Sequence, residues 1–188
     1  LLLPFLTCLV LVMIHVYFGA FVLKRGVIFI DLALAQWAAL GYLVGHWMQI
    51  QHPVGLFCIG FGFTVVASLI LTALKPLYGK VNLQEAVIGV IYILGTTVSL
   101  GLISVTGMEG YHVKEMLAGH LLFIQWTEFL FACGLYSAIA VLLVWLHPYL
   151  ISATGRKWDF IFYVLFGLVV TSSVKMVGVL LVFSFLVL

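Results

Sequence analysis

The chain has 188 residues, of which 65% are hydrophobic and 7% are charged, and its mean hydropathy is +1.32. A soluble domain carries about 25% charged residues to cover its surface, so this composition excludes a water-soluble globular protein and indicates a chain whose solvent is lipid. The formal net charge of +2 is too small to favour a nucleic-acid partner.

Six apolar stretches have the length of membrane helices. A hydrocarbon core about 30 Å thick needs about 20 helical residues to cross it. In chain order the stretches are residues 1–23, 26–47, 54–74, 86–105, 128–146 and 160–188. The last contains Lys175 and is long enough to overrun one bilayer, so it is either one tilted helix or two shorter pieces. The sequence therefore predicts an all-α, polytopic integral membrane helical bundle, with residues 1–188 in a single domain.

Loop charges predict an orientation for this bundle. Basic residues cluster in alternate loops, whereas the intervening loops hold only Lys114. The clustered residues are Lys24, Arg25, Lys75, Lys80, Arg156 and Lys157. Cytoplasmic loops of membrane proteins carry an excess of Lys and Arg, so these loops are expected in the cytoplasm and the N-terminus outside.

The second apolar stretch contains an acid and an amide, Asp31 and Gln36, among small apolar residues. An unpaired carboxylate within hydrocarbon costs about 3 kcal/mol, and such residues usually mark an ion or substrate path. The alternative is a structural carboxylate that pairs with a neighbouring donor or reaches water near the interface. His15 lies on the preceding helix, within about one turn of the depth of Asp31. Its imidazole suits zinc and tolerates manganese, but it can equally be a core histidine bonded to backbone or hydroxyl groups.

Four segments carry a resemblance to a known family. The first runs from Arg25 to Gly41 with the pattern Arg-x6-Leu-Ala-Leu-Ala-Gln-x4-Gly, and the others cover residues 84–92, 112–122 and 174–182. The second begins Gln-Glu-Ala-Val-Ile-Gly, and the fourth contains Val-Gly-Val-Leu-Leu-Val. In order and spacing these segments resemble the transmembrane permease of zinc/manganese-type ABC importers.

The resemblance implies a transport subunit for a divalent transition-metal ion, namely zinc, manganese or iron. It implies alternating access in a homodimer of two permease copies, driven by separate cytoplasmic ATPase subunits and fed by an extracytoplasmic metal-binding protein. The expected location is the inner or plasma membrane of a prokaryote, as a multi-pass protein. The metal is the substrate, and no cofactor is expected. The chain contains no Gly-x4-Gly-Lys-Ser/Thr phosphate loop, so we expect it not to be an enzyme.

The sequence also departs from the family pattern. Many members carry an Asp and a His four residues apart, whereas Gln36 stands at the His position here and Asp31 lies five residues before it. Five residues rotate a helix by about 500°, which leaves the two side chains about 140° apart. The resemblance still makes Asp31, His15 and Gln36 the candidates for a metal translocation path. Because the family continues beyond the position of Leu188, we expect a domain truncated at its C-terminus.

Two other function classes stay open at this point. Six histidines among apolar helices could supply axial ligands to haem, which predicts a haem-binding or other redox membrane subunit. No two of them share a helix at repeated depth, however. A membrane-embedded metalloenzyme needs a pattern such as HExxH or clustered carboxylates, and neither occurs in the sequence.

Overall fold

The structure is a computed structural model that describes residues 2–78, 83–107, 119, 121–152 and 155–187. These residues form six α-helices and one short 3₁₀ turn, without a strand in the described ranges. The helices are α1 (Leu2–Arg25), α2 (Ile30–Trp47), α3 (Pro53–Tyr78), α4 (Gln84–Thr106), α5 (Trp126–Ser152) and α6 (Arg156–Val187), and the 3₁₀ turn is Leu121–Phe123. The predicted all-α membrane bundle is confirmed. Leu1, Lys80, Lys114 and Leu188, and most of the 112–122 segment, lie outside the described residues.

Five helices in the described part of the chain are long and apolar enough to cross a membrane, and α2 is the exception. The sequence predicted a stretch from residue 26, but Gly26 adopts a positive φ of 65° and the helix begins only at Ile30. The remaining 18 residues include Asp31 and Gln36, which lower the mean hydropathy of the helix. Twelve of the 18 are buried, so α2 is enclosed by other helices rather than by lipid.

Helix α6 lies at the centre of the bundle. It packs against α2 and α3 on one side and against α1 and α5 on the other, and α2 also packs against α3 and α4. Aromatic rings fill the contact between α1 and α6, where Phe18 lies 5.1 Å from Phe166 and 5.7 Å from Phe162, measured between ring centroids. At this central position, 72% of the most apolar stretch of α6 is buried.

The closest helix contact joins α2 to α3 through glycines. A Cβ atom placed on Gly41 would lie 2.7 Å from the Cα atom of Gly60 and 2.9 Å from the carbonyl oxygen of Ile59. Small residues allow backbones to approach in lipid, where no hydrophobic force drives helices together. Gly45, one turn further along α2, faces Leu56 at a similarly short distance.

Helix α6 is interrupted near its end. Gly178 has non-helical dihedral angles, φ 77° and ψ 164°, and it separates a helical piece over residues 156–177 from one over 179–187. The sequence left open one tilted helix or two shorter pieces, and the structure shows two shorter helical pieces. Gly119 packs directly against this break, because a Cβ atom placed on it would lie 2.3 Å from the carbonyl carbon of Val177. Beyond the break, the ring of Phe185 lies 6.4 Å from the ring of His15 on α1.

One end of the bundle is held together by charge, and we call it the basic end. Here α1 and α3 terminate and α6 begins, and Arg25 and Lys75 both pair with the buried carboxylate of Asp159. The guanidinium of Arg25 also donates to the carbonyl oxygen of Leu150 at 3.3 Å and lies 4.5 Å from the centre of the Phe162 ring. The structure thus brings together, at one end, basic loops that the sequence predicted to share a side of the membrane.

Candidate functional site

Asp31 is a buried carboxylate with one unused oxygen. It lies in the first turn of α2 with 1% of its surface exposed. Its Oδ1 accepts a hydrogen bond from the backbone N–H of Leu32 at 2.7 Å, whereas Oδ2 has no hydrogen-bond partner among the described residues. A buried acceptor left unpaired costs about 1–3 kcal/mol, and more when it is charged. Such an oxygen is suited to receive a cation.

His15 offers a second unused acceptor, deep in the bundle. Its Nδ1 lies 2.8 Å from the carbonyl oxygen of Leu11. A carbonyl can only accept, so Nδ1 carries the hydrogen and Nε2 carries the lone pair. That Nε2 is buried and unpartnered within the described residues, as is Oδ2 of Asp31, and no other buried side-chain nitrogen or oxygen there shares this property. The backbone bond that the sequence offered as the alternative for His15 therefore exists, and it leaves the metal-binding nitrogen available.

Gln36 faces a different neighbour. Its Cγ would lie 3.3 Å from a Cβ atom placed on Gly95 of α4, so its side chain extends over a helix surface that a glycine leaves open. The adjacent Trp37 donates from Nε1 to the carbonyl oxygen of Ile91 at 3.0 Å, which fixes this face of α2 on α4.

The structure does not join the three candidates into a complete metal centre. Asp31 and Gln36 lie on α2, whereas His15 lies on α1, which packs against α5 and α6. No group of three His, Cys, Asp or Glu side chains close enough to hold a metal occurs among the described residues. A transported ion needs binding that is weak enough to release it, so isolated donors along a path remain compatible with transport.

Glu85 has a role at this site that the sequence did not reveal. It is the acidic residue in the first turn of α4, where a carboxylate favours the N-terminal dipole of its own helix. Its carboxylate instead accepts hydrogen bonds from the backbone N–H groups of Ile28 at 2.6 Å and Phe29 at 3.4 Å, just before α2. The only sequence signal was an acid inside the second resembling segment, and that signal does not identify the partner.

Hydroxyl groups connect α6 to its neighbours in the core. Tyr42 of α2 donates to the carbonyl oxygen of Thr171 at 3.0 Å, and the Thr171 hydroxyl lies 3.2 Å from that of Thr64 on α3. Tyr136 of α5 lies 3.0 Å from the hydroxyls of both Ser172 and Ser173. These groups satisfy one another, so they stabilise helix packing and offer no free donor set for a metal.

The described residues form a multi-pass bundle of apolar helices, the architecture of an integral membrane protein, and two of their buried side-chain atoms have no hydrogen-bond partner there. The chain belongs to the ABC 3 transport family, whose model matches residues 1–188, and this match confirms the permease family predicted from the sequence segments.

Comparison with solved structures supports the same architecture. The chain is similar in fold to PsaBC from Streptococcus pneumoniae, solved in complex with a Fab, with a TM-score of 0.76 and 19% sequence identity. The similarity covers 98% of this chain and 68% of the matched chain. No curated protein sequence matches the chain.

Proposed function

We propose that this chain is the membrane-spanning permease subunit of an ABC importer whose substrate is a divalent transition-metal ion, namely zinc, manganese or iron. The observation that carries the proposal is the family match over all 188 residues. The choice of a metal substrate is supported by the two unused buried donors, Asp31 Oδ2 and His15 Nε2. Carboxylate oxygen suits manganese, and imidazole nitrogen suits zinc and iron.

The donors have distinct tasks in this proposal. The carboxylate of Asp31 supplies the negative charge that draws a divalent ion out of water, and its buried position makes that attraction stronger than at a surface. His15 offers a neutral ligand deeper in the bundle, and Gln36 offers an amide oxygen on the face turned toward α4. Because no described cluster surrounds the ion completely, we expect water, backbone carbonyls or a second copy of the chain to supply the remaining ligands.

Transport in this proposal needs partners. The sequence lacks a phosphate-binding loop, so a separate cytoplasmic ATPase must supply the energy. An extracytoplasmic metal-binding protein delivers the ion, and two permease copies form the path in a prokaryotic plasma membrane. The basic end, which carries Arg25 and Lys75, faces the cytoplasm under the positive-inside rule.

The test is metal analysis of the purified complex together with its visible spectrum. We expect bound zinc, manganese or iron after loading, less metal in an Asp31→Asn variant, and no Soret band. A strong Soret band with reversible reduction would instead favour the haem alternative.

A further inference from the structure

Two carboxylates accept hydrogen bonds from different backbone N–H groups around the start of α2. Glu85, from the first turn of α4, accepts from Ile28 and Phe29. Asp31, from the first turn of α2 itself, accepts from Leu32 through Oδ1 alone. The N–H groups at the start of a helix and just before it have no carbonyl partner within that helix, so side-chain acceptors there satisfy them. Which of these N–H groups Glu85 accepts therefore decides whether Oδ2 of Asp31 stays without a hydrogen bond.

We propose that Glu85 is a positioning residue for Asp31 in metal transport. By accepting the N–H groups of Ile28 and Phe29, Glu85 keeps the second oxygen of Asp31 free of backbone hydrogen bonds and directed toward the transported cation. The role rests on the proposed metal-import function. It also adds a residue from α4 to a path that the sequence placed on α1 and α2.

The packing of α2 on α4 supports this role. Glu85 holds the turn before α2, and the bond from Trp37 Nε1 to the Ile91 carbonyl oxygen holds α2 about two turns later. Asp31 lies between these two attachments. If the Glu85 hydrogen bonds are lost, the turn before α2 is released, while the Trp37 hydrogen bond still holds α2 on α4. The structural change is therefore local to the segment that carries Asp31.

Removal of Glu85 has a defined consequence for Asp31. The N–H groups of Ile28 and Phe29 lose their acceptor, and Asp31, in the adjoining turn, is the carboxylate available to replace it. A carboxylate in the first turn of a helix can reach back to an N–H group at the helix start, as in a capping box. Once both of its oxygens accept backbone hydrogen bonds, Asp31 no longer presents an unused oxygen to a metal ion.

The first arm of the test measures uptake of radiolabelled manganese and zinc in cells that produce the full chain. We expect Glu85→Ala to lower uptake about tenfold at unchanged protein level, because small displacements of a binding group have effects of this size or larger. Glu85→Gln keeps one carbonyl acceptor and is expected to retain part of the activity. Wild-type uptake by Glu85→Ala at equal protein level would overturn the positioning role.

Glu128 provides the matched control. It also lies in the first turn of its helix and accepts a backbone N–H, that of Gln125 at 3.3 Å, and it contacts Lys175 near the end of the 156–177 piece of α6. Glu128→Gln is expected to change uptake about twofold or less, as for substitutions away from packed or functional features. A loss equal to that of Glu85→Ala would show that any helix-start glutamate matters and would overturn a specific role for Glu85.

The second arm does not depend on transport. Amide hydrogen exchange of the purified protein, followed by mass spectrometry, should be faster for the peptide that contains Ile28 and Phe29 in Glu85→Ala than in the wild type, with Glu85→Gln in between. Unchanged exchange in Glu85→Ala would show that Glu85 does not protect the N–H groups of Ile28 and Phe29, and would overturn the proposal. Faster exchange with normal uptake would overturn only the positioning role. Absence of metal uptake by the wild-type protein would overturn the proposed function, and the positioning role with it.

Discussion

The two oxygens of Asp31 differ, because Oδ1 accepts a hydrogen bond from the N–H of Leu32 in the first turn of α2 while Oδ2 is buried without a partner among the described residues. A purely structural acceptor would need only the first oxygen. The cost of burying the second is the physical reason to assign Asp31 to the transport path.

The Asp31→Asn substitution separates the hydrogen bond with Leu32 from the negative charge. Asn keeps the oxygen that accepts from Leu32 but loses the negative charge. We therefore expect uptake of radiolabelled metal to fall to background, while the amount of protein in the membrane stays unchanged. Normal uptake by Asp31→Asn at equal protein level would leave Asp31 with a structural role alone.

Gln36 tests which metal the path prefers. Gln36→His places an imidazole at the position where the family pattern carries one, on the face beside Gly95. Imidazole favours zinc over manganese more strongly than an amide oxygen does. The expected result is a shift of uptake toward zinc, measured by competition between the two labelled metals. An unchanged ratio would remove Gln36 from the path.

At the scale of helices, the contact between α2 and α3 depends on the absence of a side chain at Gly41. Gly41→Ala inserts a methyl group 2.7 Å from the Cα atom of Gly60, where backbone must move to make room. Overpacking of this kind costs about 1–3 kcal/mol, so the midpoint of thermal unfolding in detergent should fall. Gly62→Ala on α3 is the control, since no atom lies within 4 Å of its added methyl group. Equal midpoints for the two variants would contradict the close approach.

The charged junction at the basic end predicts a second stability effect. Asp159 is 5% exposed, and its carboxylate forms ion pairs with both Arg25 and Lys75. Removing one partner of a buried ion pair costs about 3–5 kcal/mol, and the half-exposed Lys75 places Asp159→Asn toward the low end of that range. The matched variant is Glu128→Gln, whose longer and more exposed contact to Lys175 is worth about 0–1 kcal/mol. Thermal unfolding that ranks the two variants in the opposite order would contradict this account.

The sequence predicted the helices well because hydrophobic length is a strong signal in a membrane protein, and all six predicted stretches correspond to helices. The start of α2 was predicted too early because the left-handed turn at Gly26 is a local backbone choice that hydropathy does not report. The division of α6 at Gly178 was left as one of two alternatives, since a glycine within an apolar run is compatible with both.

Candidate site residues were harder to predict than helices, because their partners come from other elements. Asp31 and His15 were identified by the cost of polar groups in lipid, and both retain an unused buried donor atom. The contact of Glu85 with the turn before α2 depends on how α4 packs, and no sequence spacing encodes it. Whether Asp31, His15 and Gln36 line a metal path stays a prediction.

At the scale of the whole molecule, α6 divides the bundle into a pair of helices, α1 and α5, and a group formed by α2, α3 and α4. Charges join the two sides at the basic end, where Asp159 contacts Arg25 of α1 and Lys75 of α3. The break at Gly178 interrupts α6 far from that end.

The most direct test of the central claim is metal uptake by cells that lack the protein and by the same cells after it is restored, with radiolabelled zinc, manganese and iron. The account predicts that restoration produces saturable accumulation of at least one of these metals, that unlabelled divalent metal competes with it, and that depletion of ATP abolishes it. Equal accumulation of all three metals with and without the protein would contradict the assignment of this chain as the permease of a divalent-metal importer.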